Sequence, residues 1–173
     1  PLRLVQEICM LDNMSRGRLE VGVGRGVSPY ELAFYNVTPQ EARTMFREAL
    51  EILVAGLRTG EVSYAGEYYS FKDVRLHLEP YQRPYPPLWY PTDNTNSITW
   101  LAQEGFNTIT HYPPMTTMRE LFDLYKRVWQ EHHTNPDRLN AHVPEPKYGI
   151  VRHVYVAETD AQAIAHHASY VVW

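Results

Sequence analysis

"GRLEVGVGRG" occupies residues 17–26, and its reading decides the fold. Leu19, Val21 and Val23 alternate with other residues, the period of a strand with one buried face. Gly22, Gly24 and Gly26 then close it, with Arg25 between the last two. A dinucleotide-binding turn needs G-x-G-x-x-G opening a helix, and an acid about 20 residues further on. Here the spacing is G-x-G-x-G, "VSPYELAFYNV" follows, and a capped helix starts only at Pro39. The fingerprint fails on spacing and on context. Glycines that merely end a strand explain the turn but leave Arg25 unaccounted for.

Outward from this strand, the chain alternates. Residues 2–13 read as a helix, with Leu4, Ile8 and Leu11 at helical spacing beside Val5 and Cys9. After the loop, Thr38 is a natural N-cap, Pro39 suits the first helical position and Glu41 completes a capping box. Ala42, Met45, Phe46, Ala49, Ile52 and Leu53 form its apolar stripe, which runs to Gly56 or Gly60. "EVSYAGEYYSF" (61–71) reads as a hairpin insertion turning at Ala65-Gly66. A short buried strand is expected around Leu88–Pro91, a helix over 94–105 ending at Gly105, and a strand in "FNTITHY". Thr117 and Glu120 suggest a second capping box ahead of Met118, Leu121, Phe122, Tyr125, Val128 and Trp129. "YGIVRHVYVAE" (148–158) reads as a strand, and Thr159 with Gln162 as the start of a last helix running towards Trp173. Strands alternating with helices imply a parallel sheet, open or closed. Four such strands are visible, whereas a closed eight-stranded barrel takes about 250 residues. The chain lacks a start Met and opens directly on a helical pattern, so it is expected to be an incomplete excerpt of a longer protein.

Composition narrows the partners. The 173 residues suggest one domain, with 44% apolar and 21% charged residues, ordinary for a globular chain. A net charge of -4 argues against a broad nucleic-acid-binding surface. No apolar run approaches the roughly 20 residues needed to cross a membrane, and no signal peptide is visible. The single Cys9 fits a reducing, cytoplasmic setting and a place in the core. His132-His133 and His166-His167 are adjacent on helices, so their side chains diverge, and no metal site is expected there.

Two features point to an anion. Arg43 falls at the fifth position of its helix, where a cation opposes the macrodipole by roughly 0.3–1 kcal/mol. Its turn-spaced neighbours are Pro39, Gln40, Phe46 and Arg47, none of them acidic. "DNTNS" (93–97) leads a strand straight into a helix whose first turn carries Asn94 and Ser97. Such an end binds phosphate through free N–H groups, although for these residues taken alone plain N-capping by Asn94 is the favoured reading.

"MLDNMSRGRLEVGVGRG" (10–26) resembles the signature stretch of the bacterial-luciferase-like, flavin-dependent monooxygenases. "FREALEIL", "GEYYSF", "QRPYPPLWY" and "WLAQEGFN" resemble the family's later segments, in order. The likeness is strongest over 10–111, and the last 40 or so residues are generic. It implies a TIM-like (β/α)8 barrel, of which this chain covers the middle and later strands. It also implies reduced FMN, or a deazaflavin in some branches, with dioxygen and a small organic substrate. A reductase supplying the flavin and a homodimer are the implied partners. Carried over residue by residue, the resemblance assigns the flavin phosphate to Arg25, Arg43, Asp93, Asn94 and Ser97. Asn94 stands where the family often has Ser, which removes a hydroxyl contact and leaves the backbone N–H groups. The family's catalytic histidine belongs to a strand expected before Pro1. His111, at the end of "FNTITH", is the candidate acid-base residue within the chain, and a loop role is its alternative. Trp89 and Tyr90 are placed either near a flavin ring or in the core. A noncatalytic barrel subunit that only supports a partner is the alternative function. A sugar- or phosphate-processing barrel is disfavoured, because no pair of acids sits at strand ends.

Overall fold

The computed structural model describes residues 1–111 and 113–168. The expected continuation of the last helix to Trp173 lies outside them. Helix α1 (Leu2–Ser15) is followed by strand β1 (Val21–Gly22), α2 (Pro29–Phe34) and α3 (Pro39–Thr59). A hairpin of β2 (Glu61–Ala65) and β3 (Ser70–Arg75) comes next. Then β4 (Leu88–Pro91), α4 (Thr95–Glu104), β5 (Asn107–Thr110), α5 (Met115–His132), β6 (Tyr148–Ile150) and α6 (Asp160–His167) complete the order. The strands β1-β4-β5-β6 form one parallel sheet, and β2-β3 a separate antiparallel pair. The parallel sheet and its helical connections are those read from the sequence.

Local chemistry explains the boundaries. The Thr38 hydroxyl accepts the Glu41 N–H at 3.2 Å and the Glu41 carboxylate accepts the Thr38 N–H at 2.8 Å, so the capping box is complete. Gly60 ends α3 at φ 69°, a left-handed turn that suits glycine. A short helix, α2, stands where the sequence pattern reads as loop, because Ser28 caps it by accepting the Glu31 N–H. Helix α5 starts earlier than its expected capping box. Pro114 is the N-cap and the Met118 N–H bonds its carbonyl at 3.0 Å, so Thr117 and Glu120 lie inside the helix. Strand β6 is three residues long rather than spanning 148–158. Its partner β5 stops at Thr110, and the last ladder bond is Val151 N–H to the Thr110 carbonyl.

The core lies between the sheet and helices α1, α3, α4 and α5. Val5, Ile8 and Cys9 of α1 pack there with Ile52, Leu53 and Leu57 of α3, Ile98 and Leu101 of α4, Tyr125 of α5 and Leu88 of β4. The buried face of α1 is therefore Val5–Ile8–Cys9–Asp12, whereas Leu4 and Leu11 are half-exposed. Burial and the neighbouring Asp12 push the Cys9 thiol pKa up, which keeps it an inert core residue.

Two buried polar side chains tie loops to this core. Asn140 is fully buried; its Oδ1 accepts the Leu88 N–H at 3.1 Å, and its Nδ2 donates to the carbonyls of Leu88 (3.2 Å) and Gly105 (3.0 Å). It thereby pins the start of β4 to the turn after α4. Glu48 of α3 accepts the N–H groups of Glu67 (2.7 Å), Tyr68 (3.0 Å) and Tyr69 (3.0 Å) at the hairpin turn. Burial raises its pKa, but the three amide donors outweigh that and leave the carboxyl below its ordinary value.

Asn140→Ala should cost about 2–3 kcal/mol in chemical denaturation, since it strands a buried N–H and two carbonyls. Glu48→Gln should lower the melting temperature by about 5 °C at neutral pH. Because the folded pKa of Glu48 is depressed, its contribution is complete above the ordinary value of 4.5 and fades as pH falls through the folded value. Melting curves of the variant should therefore fall less steeply below about pH 4.5 than those of the parent.

Candidate functional site

Parallel pairing puts the C-terminal ends of β1, β4 and β5 side by side, the end at which barrel chemistry resides. Val21 lies opposite Leu88 and Gly22 opposite Trp89, and the Val23 N–H extends the ladder to the Trp89 carbonyl at 2.8 Å. Trp89, Tyr90 and Pro91 lie opposite Asn107, Thr108 and Ile109.

Beyond β1, Arg25 comes out of the sheet edge and faces the start of α3. Arg25 and Arg43 line one open cavity of about 400 Å³ with Pro39 and Gln40. Neither arginine pairs with a carboxylate among the described residues. The acid of the first turn of α3, Glu41, is held in the capping box instead. Two guanidinium groups in one cavity, one of them in the early turns of a helix, form a site whose charge calls for an anion.

Asp93, Asn94 and Ser97 do not line that cavity; they belong to the neighbouring strand end. Asn94 is the N-cap of α4, and its Oδ1 accepts the N–H groups of Asn96 (2.8 Å) and Ser97 (3.2 Å). The backbone donors that the sequence leaves open are thus occupied by the cap. An anion at this helix end would have to displace Asn94 or use Thr95 and the Ser97 hydroxyl. Asp93 Oδ1 accepts the His111 N–H at 2.7 Å, and Oδ2 lies 3.5 Å from His111 Nδ1. The acid and the candidate histidine, read separately in the sequence, are therefore one pair bridging β4 and β5. Register carries the signal for it: each stands two residues beyond a facing pair, Pro91 and Ile109.

Trp89 and Tyr90 go to opposite faces of β4. Tyr90 packs edge-on against Phe46 of α3 (5.4 Å between centroids) and Trp100 of α4 (6.1 Å), which makes it core. Trp89 turns to the other face, where its indole N–H and the Lys147 ammonium both donate to Glu20. Burial raises the Glu20 pKa, but these two donors outweigh it and hold the carboxyl below its ordinary value. Sequence reading missed α2, although S-P-Y-E (28–31) carries the capping-box pattern. It also missed Pro39 and Gln40 as cavity walls.

A second cavity of about 430 Å³ opens at the N-terminal ends of the strands, lined by Tyr85, Asn107, His142 and Lys147 among others. That end of a barrel carries stability rather than chemistry. His133 stacks on Trp129, and His167 stacks on Tyr155. Among the described residues, no group of three metal-ligating side chains converges, and no helix is long and apolar enough to cross a membrane.

The luciferase-like monooxygenase family profile matches residues 1–173. The chain is 40% identical over 126 residues to the uncharacterized protein y4wF of Sinorhizobium fredii, covering 73% of this chain and 36% of that one. It is 28% identical over 170 residues to the oxygenase component of flavin-dependent trigonelline monooxygenase from Acinetobacter baylyi, covering 95% and 45%. The structure of monooxygenase RslO1 from Streptomyces bottropensis superposes with a TM-score of 0.81 at 25% identity, over 98% of this chain and 50% of that one. The chain thus spans less than half the length of these curated relatives. It belongs to the luciferase-like monooxygenase family, and its four parallel strands are one arc of that family's TIM-like (β/α)8 barrel.

Proposed function

We propose that the protein is a flavin-dependent monooxygenase that binds reduced FMN by its phosphate at Arg25 and Arg43 and acts with dioxygen on a small organic substrate. The observation that carries this reading is the convergence of the two arginines on one cavity with no carboxylate paired to either among the described residues. A phosphate monoester fits that chemistry, because a guanidinium presents a planar fork of donors to phosphate oxygens. The hydroxyl of Ser97, on α4 just past the adjacent strand end, is the further donor assigned to the phosphate. Asn94 joins it through its amide or by yielding the N–H groups it now caps.

When bound, the reduced flavin supplies the redox chemistry. The chain's part is to hold the phosphate at the rim and to present the inner face of the sheet to the ring. A deazaflavin carries a phosphate too and would use the same arginines. The name of the trigonelline enzyme, an oxygenase component, supports a separate reductase as partner. A cytoplasmic homodimer with Cys9 reduced completes the proposal.

FMN should bind the full-length protein tighter than riboflavin by on the order of 100-fold in fluorescence titration, since charge-assisted contacts contribute about 1.5–3 kcal/mol each. Equal affinities would remove the phosphate site. Arg43→Ala should weaken FMN binding by on the order of tenfold or more, while the melting temperature of the cofactor-free protein holds or rises slightly. A lowered apo melting temperature with unchanged FMN affinity would make Arg43 a structural residue.

A further inference from the structure

The cavity at the N-terminal ends of the strands lies apart from the two arginines, and the flavin reading leaves it unused. It measures about 430 Å³, a size that suits a small molecule. Its walls come from the loops ahead of β4 and β6 and from Asn107, the first residue of β5. Tyr85, Pro87, Val143 and Pro144 make them largely apolar. Tyr85 and Val143 are buried, and the His142 ring meets Tyr85 edge-on at 4.7 Å between centroids.

Two polar atoms of these walls are unanswered. Asn107 is fully buried, and its Oδ1 accepts the Lys147 N–H at 2.9 Å. That bond fixes the orientation of the amide, so the other end, Nδ2, is a donor. Nδ2 is buried without a hydrogen-bond partner among the described residues, and so is His142 Nε2. An unpaired buried polar group costs about 1–3 kcal/mol, so two in the walls of one cavity call for an occupant that meets them. Arg83 and Lys147 stand in the same walls, while the carboxylates they pair with, Glu79 and Glu20, lie outside them. Glu145 is the one acid of the lining, and it is exposed.

We propose that this cavity is a second binding site, for a small monocarboxylate with a flat apolar body, held through its oxygens by Asn107 Nδ2 and His142 Nε2. Nδ2 can only donate, Nε2 can donate, and the two wall cations add donors, so the missing partner is an acceptor. A carboxylate offers two oxygens and a single charge. A phosphate dianion fits less well, because burying more charge beside Tyr85 and Val143 costs more. This end of a barrel carries stability rather than chemistry, so the occupant acts by stabilising the folded chain.

Benzoate is the probe, added to the full-length protein. It should shift the Asn107 side-chain amide and His142 ring signals in NMR and saturate with a dissociation constant on the order of 1 mM. The melting temperature should rise with benzoate concentration. Benzyl alcohol, which has the same ring and no carboxylate, should bind weaker by on the order of tenfold or more. Asn107→Asp keeps an acceptor for the Lys147 N–H and puts an oxygen in place of the donor, so it should weaken benzoate by on the order of tenfold or more. His142→Phe keeps a ring beside Tyr85 and should weaken benzoate severalfold. FMN affinity should change by less than about threefold in both variants, because the arginines lie at the other end of the sheet. Should Asn107→Asp not fold, His142→Phe and the alcohol carry the test. An unmoved Asn107 amide at about 50 mM benzoate would overturn the site and leave an ordered water as the partner of Nδ2. Equal binding of the alcohol, or tighter binding of inorganic phosphate at the same amide, would overturn the carboxylate.

Discussion

Strand β4 holds its place between β1 and β5 through parallel ladders on both sides, and the candidate residues at the strand ends depend on that placement. Val21 N–H to the Pro87 carbonyl (2.9 Å) and Thr92 N–H to the Ile109 carbonyl (3.0 Å) mark the two flanks. A slip of one residue would turn Tyr90 out of its pocket between Phe46 and Trp100 and drive Trp89 into the core. Asn140 resists that slip, because its side chain reads both the N–H and the carbonyl of Leu88. The same register delivers Arg25, Asp93 and His111 to one end of the sheet. Packing behind the sheet and chemistry at its rim are thus two consequences of one alignment.

The inner and outer faces divide the labour. Outward, Leu88 and Tyr90 pack with Ile98, Leu101, Phe106 and Tyr125 from the α4–β5 unit and α5, and apolar burial of this kind stabilises by about 25 cal/mol per Å². Inward, the layer at the N-terminal side is polar, with Glu20 receiving Trp89 and Lys147. Above it stand Gly22 and Gly149, which present backbone rather than side chains on that face.

Much of this was legible in the sequence because short-range chemistry wrote it. The Thr38–Glu41 box, the bounds of β4 at Leu88–Pro91 and the Gly105 stop all follow from local patterns and stand as read, although of β4 only Leu88 is buried. What local patterns cannot carry is the partner strand. "YGIVRHVYVAE" has strand character throughout, yet its neighbour ends at Thr110, and only three residues find a ladder. "MTTMRE" offers a good capping box at Thr117, yet Pro114 already starts the helix one turn earlier. In the candidate site, Arg43 stood out through charge out of place, and Arg25 through its position between glycines and the family resemblance. The tie between Asp93 and His111, 18 residues apart, exists only through the β4–β5 register.

Charge at the rim is sorted by strand. A chain with a net charge of -4 nonetheless places two guanidinium groups in one cavity at the β1–α3 junction, with the nearby Glu41 held in its own cap. Asp93, on the next strand, directs one oxygen to a backbone N–H and the other to an imidazole, so its field is partly answered where it arises. Were Asp93 turned to the arginines instead, it would neutralise the site and compete with any anionic ligand. His111 keeps it on its own side, and the attachment at 2.7 Å to main chain is one that no side-chain rotation of His111 can remove. The rim therefore carries two guanidinium groups at the β1–α3 junction and a carboxylate–imidazole contact between the ends of β4 and β5.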